Sequence, residues 1–199
     1  ASGLAAITAQ YVAWGGAFLD FDNDRDEDVF IANGDAHYLV GWQSLLLENR
    51  GDGTFSDAAE KGGAVFRSKL RGRGAASLDF NNDGLPDLLM TAIADRPFLL
   101  KNQGPREGHW LTLQLEGTRS NRDGLGAIVR VTAGGRTTLH LHRASTSFIM
   151  QGDPRVHVGL GSEARVDRLE IRWPSGQVQI LEQPTVDRIL RVREPGSRS

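Results

Sequence analysis

Cysteine is absent from the 199 residues, which excludes disulfides, thiolate nucleophiles and cysteine-held zinc together, and leaves the redox compartment open. Long apolar runs are missing too: no stretch approaches the roughly 18 residues that a membrane-crossing helix needs. The opening ASGLAAITAQYVAW has no basic head followed by an apolar stretch. It does not read as a signal peptide, and any export signal is expected upstream of it. A strong net charge is also lacking. The formal balance is −2, with 9 Lys or Arg against 15 Asp or Glu in residues 1–105, and 14 Arg against 10 acids in residues 106–199. The positive excess of the second half is spread over alternating strand positions and forms no dense basic stripe, which argues against a nucleic-acid partner.

The acids of the first half fall into a repeated pattern. Asp20, Asp22, Asp24 and Asp28 stand at the first, third, fifth and ninth places of DFDNDRDED; Asp79, Asn81, Asp83 and Asp87 stand at the same places of DFNNDGLPD. Side-chain oxygens so spaced converge on one hard cation, with the backbone carbonyl of the seventh residue, Asp26 or Leu85, filling a gap. Calcium is the expected guest. The competing reading is a metal-free turn in which Asp and Asn accept backbone N–H groups. Four or five clustered carboxylates would then repel one another, which favours an ion. The sixth place is Gly84 in the second loop and Arg25 in the first. Glycine suits the sharp turn there, whereas arginine costs conformational energy and brings positive charge towards the ion. The loops begin 59 positions apart and each leads into an apolar strand, DVFIAN or DLLMTA, so the unit is a repeated strand–loop–strand.

Alternation of polar and apolar residues predicts strands nearly throughout: AFLDF, DVFIAN, SLLLEN, AASLDF, DLLMTA and PFLLKN, then WLTLQLEG, AIVRVTA, TTLHLHR, VHVGL, RLEIRW, VQILE and RILRVR. Most read as half-buried antiparallel strands. One helical turn is expected in SDAAEKGG, with Ser56 or Asp57 as cap and Gly62 as terminator. The fold class is all-β. A seam at NQGPREG divides the chain into residues 1–104, which carry the loops, and 105–196; residues 197–199 form a tail.

These pieces carry a family resemblance. WGGAFLDFDNDRDEDVFIANG and GRGAASLDFNNDGLPDLLMTA, with LLLENRGDGTFSDAAEKGG between them, resemble FG-GAP or VCBS repeats, the blades of integrin-like β-propellers. GLGAIVRVTAGG, SFIMQGDPRVHVGLG and VDRLEIRWPSGQVQIL are similar to the ASPIC/UnbV domain, which follows such repeats in the cartilage acidic protein-like family. The resemblance implies two propeller blades, then a β-sandwich-like domain. A propeller closes with at least four blades, so upstream blades or a second copy of the chain are expected to complete the ring. It also implies a calcium-stabilised, secreted or extracytoplasmic module that binds a protein or glycan. The alternative it implies is an enzyme or accessory protein of bacterial secondary metabolism of the enediyne type, which would place it in the cytoplasm. The 20 Arg against 3 Lys accord with a bacterium of GC-rich genome.

No catalytic motif is recognised. Ser145, Thr146 and Ser147 lack a GxSxG elbow, and the glycines of GLGAIV fall short of a dinucleotide fingerprint. His140 and His142 project to one side of a strand without a third metal ligand. Trp173, before a Pro-Ser-Gly turn, is expected in the core. His37, Tyr38 and Trp42, in the excursion after the first loop, form the candidate ligand-contacting surface; the alternative is that such rings cover the core.

Overall fold

A computed structural model describes residues 2–37, 40–106, 108–143 and 145–196. In the first half, β1 (Ala13–Leu19), β2 (Asp28–Asn33), β3 (Leu45–Asn49) and β4 (Phe55–Asp57) form an antiparallel meander in that order. A second, three-stranded sheet follows from β5 (Gly72–Leu78), β6 (Asp87–Ala92) and β7 (Phe98–Leu100). Each acid loop closes a hairpin in the same register: Leu19 faces Asp28, and Leu78 faces Asp87. β2 lies between two neighbours and buries five of its six residues, which explains its unbroken apolar reading.

The two sheets share one core. Ala17, Leu19, Phe30, Leu46, Phe66, Ala75, Leu88 and Met90 meet there, with Phe30 and Phe66 edge to face at 5.8 Å. Burying one such side chain contributes about 1.5–3 kcal/mol. α1 (Leu4–Thr8), which no periodicity announced, covers a smaller cluster of Val29, Leu45 and Leu47 through Leu4 and Ile7. The helical turn expected in SDAAEKGG is formed as two consecutive turns, Lys61 to Ala58 and Gly62 to Ala59, and goes no further. Asp57 caps the segment, its Oδ1 accepting the Ala59 N–H at 2.8 Å, but only consecutive turns follow before Gly63 turns to φ 82°. A 3₁₀ turn, Ala64–Arg67, then delivers Phe66 to the core.

The second half is a two-layer structure. One sheet has the order β10 (Arg136–Leu141), β9 (Ile128–Ala133), β12 (Arg168–Arg172), β13 (Val178–Glu182); the other has β11 (Val156–Gly161), β8 (His109–Glu116), β14 (Arg188–Arg193). Their inner faces enclose Leu111, Leu113, Val129, Val131, Leu160, Leu169, Ile171 and Trp173. Trp173 is fully buried, as expected, and its Nε1 donates to Gln179 at 3.0 Å. β14 departs from the antiparallel expectation: it runs parallel to β8, Arg188 opposite Leu111. The chain crosses through the other sheet between these strands, so its direction on return is set by tertiary packing and not by a hairpin.

Candidate metal centre

In the first loop, Asp20, Asp22 and Asp28 each offer a carboxylate oxygen, these atoms lying within 4.8 Å of one another. The chain builds this by local hydrogen bonds. Asp20 Oδ1 and Oδ2 accept the N–H groups of Asp24 and Arg25, both at 2.9 Å. Asp28 Oδ2 accepts from Phe21 at 3.1 Å, and its Oδ1 from Asn49 at 2.8 Å. The acid-capped turn and the acid cluster thus occur in the same loop, because a carboxylate oxygen that takes one N–H keeps a second lone pair.

Electrostatically, burial and mutual repulsion outweigh the attraction of Lys61 and Arg136 for these carboxylates. Burial, with neighbouring carboxylates adding to it, pushes Asp20 up to about 8 against the opposing Arg25 N–H. Asp28 is raised to about 7, again by burial first. Burial raises Asp22 and Asp24 as well. Asp22 Oδ1 is buried without a hydrogen-bond partner among the described residues. Asp24 is exposed, and its Oδ1 accepts the Asp26 N–H at 2.8 Å. The Asp26 carboxylate turns away to Arg136, 2.6 Å from its guanidinium. A hard, oxygen-seeking divalent cation fits this donor set.

The second loop repeats the frame. Asp79 accepts from Asp83 and Gly84, and Asp87 accepts from Phe80 and Asn102. Its charge is compensated differently. Asp83 Oδ2 accepts from Asn81 Nδ2 at 2.8 Å and pairs with Arg106 at 2.7 Å. Burial opposes the charge of Asp83, but the Leu85 N–H, the Asn81 amide and Arg106 outweigh it and hold the group below its ordinary value. Asp87 is raised, by burial first. The three carboxylates of the first loop therefore converge, while one acid of the second already has a cationic partner.

Both loops abut the second half. Arg25, at φ 82°, does not point its charge into its own loop: its guanidinium donates to the carbonyls of Ala133 and Arg136, both at 3.0 Å. Gly159 on β11 makes room for the first loop, since a β-carbon there would run into the Asp20 carboxylate. Gly84, at φ 84°, is covered by the Trp110 ring where a side chain would stand. Arg155 donates to the Asp79 carbonyl at 2.8 Å and to Asn82 Oδ1 at 2.6 Å.

Other predicted positions behave differently. His37 stands exposed in the excursion, its ring 3.9 Å from Asp35, while Tyr38 lies outside the described residues. Trp42 sits at the base, backbone-paired with Leu70 and edge to face with Tyr11 at 5.9 Å. Trp14 is likewise engaged, with the Arg73 guanidinium 4.3 Å from its ring centroid and Phe148 at 5.3 Å. Among the described residues the histidine pair gains no third ligand. Both nitrogens of His142 face carbonyls, Gly124 at 3.2 Å and Pro154 at 2.9 Å, so its ring is turned to backbone acceptors. His140 bonds to Thr138, and burial pushes it down to about 4. It lines a cleft of about 410 Å³ between the halves, with Phe18, Leu78, Leu139, Glu27 and Arg143.

Three asparagines were not foreseen. Asn49 and Asn102 close equivalent strands, in LLLEN and FLLKN. Each donates its backbone N–H to the ninth-place Asp of its loop and accepts, through Oδ1, an N–H two residues on. Their recurrence at strand ends was the available signal. Asn23, between the third and fifth places of its loop, offered none.

Comparison with known proteins places two families on this frame. An FG-GAP-like repeat model matches residues 20–90, and an ASPIC and UnbV model matches residues 117–199. Among curated proteins, cartilage acidic protein 1 of Xenopus tropicalis is 27% identical over 173 residues, which is 80% of this chain and 25% of that protein. The mouse and human proteins of that name are each 24% identical over 171 residues, 80% of this chain. The chain thus spans about a quarter of the length of the curated relatives it matches.

Proposed function

From a chain that joins an FG-GAP-like repeat to an ASPIC and UnbV segment, we propose a calcium-stabilised, extracytoplasmic binding or scaffold module that contacts a protein or glycan. The observation that carries it is the first loop, where Asp20, Asp22 and Asp28 converge and one buried Asp22 oxygen lacks a partner among the described residues. Calcium would neutralise that cluster when bound. Asp20, Asp22, Asp24, Asp28 and the Asp26 carbonyl would hold it, with Asp79, Asn81, Asp83, Asp87 and the Leu85 carbonyl as the second set. The loops would then be rigid corners, and the excursion bearing His37 a surface for the ligand. The two open sheets support completion of a propeller by upstream blades or a second copy, since unpaired blade edges invite pairing.

Calorimetric titration of the chelator-treated protein with Ca²⁺ tests this reading. Saturable heat is expected, with a melting temperature that rises with Ca²⁺; at 100 times Kd the ion adds about 2.7 kcal/mol. Asp28→Asn should remove most of that gain. Absence of heat, with melting curves that superimpose in Ca²⁺ and chelator, would reject the calcium role.

The cleft between the halves favours a second reading, an enzyme or accessory protein of bacterial secondary metabolism. Its polar lining includes Asp153 and Arg155, which are paired with each other at 2.6 Å and tied to the second loop. Those groups are committed to joining the halves, so the binding reading is the one adopted.

A further inference from the structure

Asn23 and Asn82 occupy the fourth place of their loops, between third- and fifth-place ligand positions, and both take left-handed backbone, φ 60° and 58°. Their side chains go to different places. Asn82 Oδ1 accepts from Arg155, whereas Asn23 is 1% exposed and makes three hydrogen bonds, to the second loop and to β11. Its Nδ2 donates to the Gly84 carbonyl of the second loop at 2.9 Å, its Oδ1 lies 2.7 Å from His157 Nε2, and its own carbonyl accepts the Gly161 N–H at 2.7 Å. Because the amide nitrogen is committed to a carbonyl, its oxygen accepts, so His157 Nε2 carries the proton and Nδ1 accepts from the Thr112 hydroxyl at 3.0 Å. The Trp110 ring covers Gly84 and stacks near His157, at 6.2 Å and 20°.

We propose that Asn23 makes the two acid loops one linked unit, so that a cation held in either loop raises the affinity of the other through the Asn23–Gly84–His157–Trp110 junction. The inference rests on the calcium reading above. A cation in the first loop fixes the backbone on both sides of Asn23. That fixes Gly84, the residue immediately before Leu85, whose carbonyl is the seventh-place donor of the second loop. A ligand stabilises whatever geometry it selects, and the effect is reciprocal; coupling of this kind typically amounts to about 5–150-fold in affinity. Direct repulsion between two cations acts in the opposite sense, so positive coupling is not a by-product of charge.

A double-mutant cycle in the full chain separates the possibilities. Ca²⁺ affinity of the first loop is measured by calorimetry in the wild type, Asp83→Ala, Asn23→Ala and the double variant, with each fold checked by near-UV circular dichroism. Disabling the second loop should weaken the first about tenfold when Asn23 is present, and less than twofold when it is absent. A purely structural Asn23 would lower stability yet leave the cross-effect intact, which overturns the proposal. So does a first loop that keeps its affinity in Asp83→Ala while the wild type binds normally. If the wild type takes up no Ca²⁺, the calcium reading fails and this inference with it. Should Asn23→Ala not fold, Asn23→Gly, which adopts φ 60° freely and removes the same amide, carries the same cycle.

Discussion

Glu194 shows what a single side chain contributes away from the acid loops. It is 1% exposed, yet its carboxylate accepts the N–H groups of Thr118, Arg119 and Ser120, each at 2.8 Å, and the hydroxyls of Ser120 and Ser175. Burial opposes its charge, but those donors, Ser120 and Ser175 foremost, prevail and hold it at about 2. A depressed carboxyl stabilises the fold fully above its ordinary value and loses that contribution as pH falls towards 2. Thermal melts from pH 6 down to pH 2 should therefore show a steep decline below about 4.5 that is blunted in Glu194→Gln. At neutral pH that variant should melt about 5–10 °C lower, for a loss on the order of 2–3 kcal/mol. Parallel pH profiles for the two proteins would refute the assignment. At Gly159 a β-carbon would meet Asp20, so Gly159→Ala should weaken Ca²⁺ binding at the first loop at least tenfold in the same calorimetric assay. The acids of these loops were legible because ligand spacing is local. Glu194 and Asn23 were not, because the side-chain partners of Glu194 lie 19 and 74–76 positions away and those of Asn23 61 and 134, and no periodicity records such distances.

At the scale of elements, strands were readable wherever alternation persisted for five or more residues. β4 was missed because Phe55–Asp57 is too short to show a period. The single helical turn expected after it is present, with Asp57 as its cap, and its Gly-Gly pair ends the segment there. Pairing direction was the larger gap. Hairpin partners follow from adjacent turns, but the parallel course of β14 on β8 depends on where five intervening strands carry the chain. β8 lies between β11 and β14, with Leu111 and Leu113 fully buried. Leu113→Ala should therefore cost about 2–5 kcal/mol, read as a shift in the denaturant midpoint at unchanged slope. A loss under 1 kcal/mol would mean that this layer is not the closed core described.

For the whole molecule, the acid loops are also the surface on which the second half rests. Arg25, Arg136, Arg155, Asn23 and Trp110 all contribute to that contact. The described sandwich core contains no acid-loop residue, whereas in the first half the β1–β2 and β5–β6 hairpins are each closed by an acid loop. Scanning calorimetry should accordingly give one transition in Ca²⁺ and two after chelation, only the lower of which responds to the ion. A single transition that never divides would show that the halves unfold together regardless of cation. Composition and the break at NQGPREG suggested the division of the chain, but the contact itself was hidden, since it is made by residues from opposite halves.

The parallel pairing of β14 with β8 also bears on how the protein emerges during synthesis. β8 can acquire β11 early, but its other edge stays bare until nearly the entire second half has left the ribosome. Closing so long a loop is slow, and a waiting edge is open to wrong partners. Nascent chains stalled before Arg188 should thus be sticky and protease-sensitive, and those carrying β14 compact.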